Sequence, residues 1–148
     1  MELKTFSAVV KFTLQLDDHT AQFYQEAASS DKYPQAKQTF LTFSEDSKKR
    51  KQILEKTARE SVDHSLLEPI SGLFEEQHAE STVFSESMSY ADLLVAAKQL
   101  EEIMQKFYAD AGEKIGFIPT VSRLYKRYAQ ERSKALATLQ NRRRLETR

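Results

Sequence analysis

The chain has 148 residues, with 22 acids balanced by 22 Lys plus Arg, three Gly, three Pro, no Cys and no Trp. That length suits one domain and can bury a real core, and a hydrophobic fraction of 40% argues against a largely disordered chain. Zero Cys excludes disulfides, thiolate catalysis and Cys-ligated zinc or iron–sulfur clusters.

Gly plus Pro is six residues, well below the roughly 12% of average usage, and 30% of the chain is charged, a balance that points to long helices. No apolar run approaches the ~18 residues of a membrane span, so no membrane association is expected. Residues Met1 to Phe6 lack the charged-then-apolar layout of a signal peptide, and a cytoplasmic setting is the expectation. Charge is neutral in sum but not in layout. From Glu60 through Ala97 there are eight acids and no Lys or Arg, whereas Thr120 to Arg148 holds nine basic residues and two acids. Such asymmetry suggests that one face attracts another, within the chain or between subunits.

The first helix is expected from about Leu3 to Ser29, with Val9, Phe12, Leu16, Phe23 and Ala27 recurring on one face. Ser29 to Pro34 ends it, and Pro34 suits a first helical position because it lacks only an amide that would be unpaired there. A second helix follows through Phe40, Phe43, Leu54 and Ala58. Residues 61–88 are too long for an antiparallel bundle turn of about 2–8 residues, so they predict a crossover with one short helix near Leu73–Glu80. Ser89-Tyr90-Ala91-Asp92 carries a capping signal for a third helix reaching about Lys114. Gly116 to Thr120 breaks it, and a fourth helix runs towards the C-terminus. A helix pair, a long connection and a second pair make an all-α, four-helix bundle with one crossover between helices 2 and 3, the ferritin-like arrangement. A simple up-down bundle is the alternative. The whole chain, 1–148, is expected to form one domain.

The halves resemble each other at an offset of 84 residues: Gln15-Leu16-Asp17-Asp18 matches Gln99-Leu100-Glu101-Glu102, and Phe23-Tyr24 matches Phe107-Tyr108. With one more residue of offset, Phe40 falls on Tyr125, Phe43 on Tyr128 and Leu54 on Leu139. One helix pair cannot bury its apolar face alone, but two pseudo-symmetric pairs, at about 3–60 and 89–146, can.

Leu16-Asp17-x5-Phe23-Tyr24 and Leu100-Glu101-x5-Phe107-Tyr108 resemble the first and third helices of rubrerythrin-like proteins in the ferritin-like superfamily. In that pattern a metal-binding Glu precedes an aromatic pair. The family's second and fourth helices carry an apolar anchor, then Glu-x-x-His. The anchors here are Phe40 with Phe43-Ser44, and Tyr125 with Tyr128-Ala129. The resemblance implies that Asp17, Ser47, Arg50, Glu101, Arg132 and Ala135 stand at the former ligand positions of a di-iron site. Only Asp17 and Glu101 can still ligate, because Arg stays protonated and has no lone pair to give. The resemblance thus implies a degenerate member without catalytic or cofactor-binding residues.

A register shifted by one would instead turn Asp46 and Glu131 inward, with Lys49 and Lys134 where His belongs. Four carboxylates without imidazole could hold a hard cation weakly, which would leave a residual iron or manganese oxidoreductase as the alternative function. The first register is preferred because its stripe is more apolar. In it, Arg50 and Arg132 are expected to pair with Asp17 and Glu101 where the metal stood, since an unpaired buried carboxylate is costly. Otherwise both Arg side chains reach solvent, and Tyr24, Tyr108 and aliphatics fill the centre.

Other motifs are weaker. Glu75-x-x-His78 has ligand spacing but lies in the crossover, where a solvated acidic helix is expected. His19 lies two residues after Asp17 and points away from it, and His64 has no motif around it. Three Gly cannot form a phosphate loop, and no Ser-His-Asp arrangement is local. Arg142-Arg143-Arg144 and Arg148 are expected to complement the last helix dipole, the alternative being a patch that binds a polyanion such as nucleic acid, anionic lipid or an acidic partner. Nucleic acid is not expected as a partner, and the acidic crossover is an internal candidate for the basic tail. The resemblance also implies a homodimer, with Leu66, Leu67, Ile70, Leu73 and Phe74 expected as exposed apolar contacts. The function expected is that of a metal-free interaction or structural module with a protein partner.

Overall fold

A computed structural model describes residues 1–61, 69–79 and 82–146. Among them it shows four long helices and no strand: α1 (Phe6–Ser29), α2 (Lys37–Glu60), α3 (Tyr90–Lys114) and α4 (Pro119–Glu146). No helix among the described residues is long and apolar enough to cross a membrane.

Helix α1 starts at Phe6 rather than Leu3 because Thr5 caps it, its hydroxyl accepting from the Ala8 amide at 3.1 Å. Leu3 is drawn into another pairing, described below. Pro34 opens a 3-10 turn over Pro34–Ala36, and the α-helix itself begins only at Lys37. Tyr33, just before that turn, is buried and donates to the Met88 carbonyl at 2.6 Å, which ties the α1–α2 turn to the entry of α3. Ser89 and Asp92 form a full capping box at the start of α3.

Helix α1 packs mainly on α2, and α3 on α4. The apolar faces form two clusters. One gathers Phe6, Phe12, Leu16, Leu54, Met104 and Tyr125, and the other gathers Tyr24, Phe40, Leu93, Leu100 and Leu139. Each helix passes from one cluster to the other at a charged or small polar residue: Asp17 on α1, Ser47 and Arg50 on α2, Glu101 on α3, Arg132 on α4. A polar layer therefore lies between two apolar ends.

The described part of the α2–α3 connection is fastened to the N-terminal residues. Leu3 N–H donates to Leu73 O at 2.8 Å, and Ile70 N–H donates to Lys4 O at 2.8 Å. Ile70 and Leu73 are 3% and 1% exposed, so they belong to the core and not to a dimer surface. Phe74 keeps partial exposure, while Leu66, Leu67 and His64 lie outside the described residues. Gly72 turns the chain here with φ +80°, a conformation that suits Gly. The expected short helix reduces to one 3-10 turn, Glu75–Gln77. His78 is also not solvated. It is 1% exposed, packs edge-on against Phe107, and bridges the Phe74 carbonyl (2.9 Å) to Asp110 on α3 (2.8 Å).

Replacing Ser89 by Ala removes one half of the α3 capping box. The expected cost is about 1 kcal/mol, or a Tm lower by about 2–4 °C. A thermal melt followed by circular dichroism checks it.

Candidate functional site

Asp17 and Glu101 have no exposed surface, and Arg50 and Arg132 are 3% and 5% exposed. Period 3.6 explains the placement. On α1 and α3 each carboxylate shares a face with the tyrosine seven positions later, and the phenylalanine six positions later is buried beside that face. On α2, Ser44, Ser47, Arg50 and Leu54 recur at three- and four-residue steps on the inner face.

Within the α1–α2 pair, Asp17 Oδ1 accepts from Arg50 Nε at 3.2 Å and from Arg50 Nη2 at 3.1 Å. Arg50 Nη2 also donates to the Ser47 hydroxyl at 2.8 Å. Within the α3–α4 pair, Arg132 Nη1 lies 3.2 Å from Glu101 Oε1 and 3.1 Å from Oε2. The second oxygen of Asp17 accepts from the Tyr108 hydroxyl of α3 at 2.7 Å, and Glu101 Oε1 accepts from the Tyr24 hydroxyl of α1 at 2.8 Å. Each helix pair thus neutralises its own carboxylate and lends a phenol to the other pair's carboxylate.

Burial pushes the Asp17 carboxyl up, against the pull of Arg50 and the Tyr108 hydrogen bond. Burial alone would lower Arg50, but the Asp17 charge beside it raises it further and keeps the guanidinium charged. Burial, and then the neighbouring carboxylates, hold Tyr24 and Tyr108 well above the ordinary phenol range. Both phenols are therefore donors. Each carboxylate accepts three hydrogen bonds from N–H and O–H groups, which takes most of its roughly four lone-pair sites.

Arg50 comes from the third residue after Ser47, whereas Arg132 comes from the position aligned with Ser47, and the buried Ala135 aligns with Arg50. Each of α2 and α4 therefore offers one guanidinium and one small residue, in opposite order. Asp46 and Glu131 do not reach the centre. They are half-buried and line a groove between α2 and α4, and Lys49 and Lys134 are exposed. Among the described residues no three His, Cys, Asp or Glu side chains are grouped to hold a metal ion.

The remaining candidates sit elsewhere. His19 contacts the Thr82 carbonyl at 2.6 Å, on the side of α1 that faces the crossover. Arg142 donates to the Gln35 carbonyl at 2.9 Å and to the Thr39 hydroxyl at 2.7 Å, so the basic tail fastens α4 to the start of α2 instead of reaching the acidic crossover through this residue. Arg148 lies outside the described residues. One contact is absent from the sequence expectations: Thr13 and Tyr125 share a 2.7 Å hydrogen bond between hydroxyls, joining α1 to α4. Its only signal is that Thr13 sits one turn before Asp17 on the inner face. The reciprocal phenol exchange has no signal in the sequence beyond both tyrosines standing two turns after a carboxylate.

Compared with known proteins, the chain matches no family model, no curated protein and no solved structure.

Arg132→Ala strands a buried carboxylate and should destabilise the fold by about 3–5 kcal/mol in urea denaturation. Replacing the whole group (Tyr24→Phe, Glu101→Leu, Arg132→Met) removes the charges together and should recover most of that loss.

Proposed function

We infer that this chain is a metal-free, non-catalytic binding or structural module built on a degenerate ferritin-like, rubrerythrin-like bundle. One observation carries the reading. Asp17 and Glu101 are each held by a guanidinium from a neighbouring helix and a phenol from the opposite pair. Two guanidiniums at the centre oppose a divalent cation by charge and occupy the carboxylate oxygens by hydrogen bonding. The ferritin-like element of this reading rests on the repeat of the Asp17/Phe23-Tyr24 and Glu101/Phe107-Tyr108 patterns and on the pairing of α1 with α2 and α3 with α4.

With no assigned chemistry at its centre, the bundle works through its surface, and the partner class is protein. A second copy of the chain, forming a homodimer in the cytoplasm, is the partner that the family resemblance favours. The buried positions of Ile70 and Leu73 remove two of the residues that would have served that interface.

Metal analysis of protein expressed with iron, manganese and zinc supplied tests the reading. Near-zero stoichiometry and a melt unmoved by chelator are expected. One or two metals per chain, with a chelator-sensitive melt, would instead favour a carboxylate-only iron or manganese site, and Asp46 and Glu131 would be the first residues to replace.

A further inference from the structure

Among the described residues, three buried side-chain polar atoms lack a hydrogen bond: Arg50 Nη1, Arg132 Nε and the Tyr128 hydroxyl. All three residues line the same groove between α2 and α4, with a volume of about 310 Å³. Native interiors rarely leave such groups unpaired, and a group of them around one space points to a missing acceptor. The two guanidiniums spend their other N–H groups on Asp17, Ser47 and Glu101. Neither Asp17 nor Glu101 lines the groove.

The lip adds Lys49 and Arg127, both exposed, against the half-buried Asp46 and Glu131. Arg127 Nε is 4.0 Å from Glu131 Oε1, too long for a hydrogen bond. Asp17 and Glu101 already balance Arg50 and Arg132, and Lys49 and Arg127 stand against Asp46 and Glu131, so the groove is neutral in sum and its character comes from its unpaired atoms, which can all donate. An anion with acceptors in several directions matches this set, whereas a metal cation does not. A phosphate group carries such oxygens, and Arg and Lys are its usual partners. The volume falls at the lower end of small-ligand pockets, about 300–1,000 Å³, and leaves room for a body beyond the phosphate. Ile53, 44% exposed in the same groove, offers that body an apolar contact.

We propose that the α2–α4 groove binds a small phosphate monoester, its oxygens held by Arg50, Arg132 and Tyr128 and attracted by Lys49 and Arg127. The proposal rests on the charge-paired, metal-free centre argued above.

The test uses the full chain in phosphate-free buffer at constant ionic strength, titrated with phenyl phosphate, inorganic phosphate and sodium chloride. Phenyl phosphate should bind once per chain by calorimetry and raise Tm saturably, with inorganic phosphate weaker and chloride without effect. The double variant Lys49→Ala/Arg127→Ala changes only exposed side chains and should weaken binding by about fivefold. No saturable response, the same response to chloride, or an unchanged affinity in the double variant would overturn the site. An inorganic phosphate Kd as low as that of the ester would overturn the monoester assignment. Metal content measured on the same sample separates the two readings. A metal-loaded chain contradicts the metal-free centre, whereas a metal-free chain that ignores phosphate contradicts only the phosphate site.

Discussion

Two carboxylates without exposed surface lie midway along a helical bundle, and the polar layer around them is organised by the need to satisfy both. An ionised carboxylate in such a place costs several kcal/mol unless it is paired and hydrogen-bonded. Asp17 and Glu101 meet that demand in the same way, each with one guanidinium and one phenol. Arg suits the task because its guanidinium is planar, permanently charged and more weakly hydrated than an ammonium. Lys at either position would bring a more strongly hydrated charge and fewer donors.

The layer is weak as a source of net stability. Burial still pushes Asp17 upward despite Arg50 and Tyr108, so dehydration is the larger effect on that carboxyl. Its consequence is connection. The α1 and α3 backbones approach each other much less than the partners within each pair do. The Tyr24–Glu101 and Tyr108–Asp17 bonds cross between the two halves, and Thr13–Tyr125 crosses again from α1 to α4. Sliding one pair against the other would break these bonds and strand buried donors and acceptors together. The apolar clusters on either side supply the burial, and the polar layer sets the register at which they meet.

Much of this was legible from periodicity. The buried faces of α1 and α3 follow spacings of three, four and seven, which need only the 3.6-residue turn. Asp17, Arg50, Glu101 and Arg132 were readable as inward positions because the stripe through Phe40, Ser44 and Leu54 is more apolar than its neighbour by one. The exchange of phenols was not readable, since it depends on which helix faces which across the bundle. Ile70 and Leu73 were misread as exposed because segments far apart in sequence decide their burial: Leu3 and Lys4 pair with them through backbone groups that any residue carries. His78 was misread for the same reason, as its partner Asp110 lies on α3. Two helix starts moved by a few residues: at α1 the Thr5 hydroxyl caps the Ala8 amide, and at α2 Pro34 opens a 3-10 turn closed by the Ala36 amide on the Tyr33 carbonyl.

Solution NMR of the Arg50 and Arg132 side chains tests the paired centre most directly. A guanidinium held to a buried carboxylate rotates slowly and shields its protons from water. Both residues should therefore show resolved, slowly exchanging guanidinium protons at neutral pH, lost at Arg50 in Asp17→Asn and at Arg132 in Glu101→Gln. Averaged, rapidly exchanging signals for both arginines in the wild-type chain would contradict the charge-paired centre.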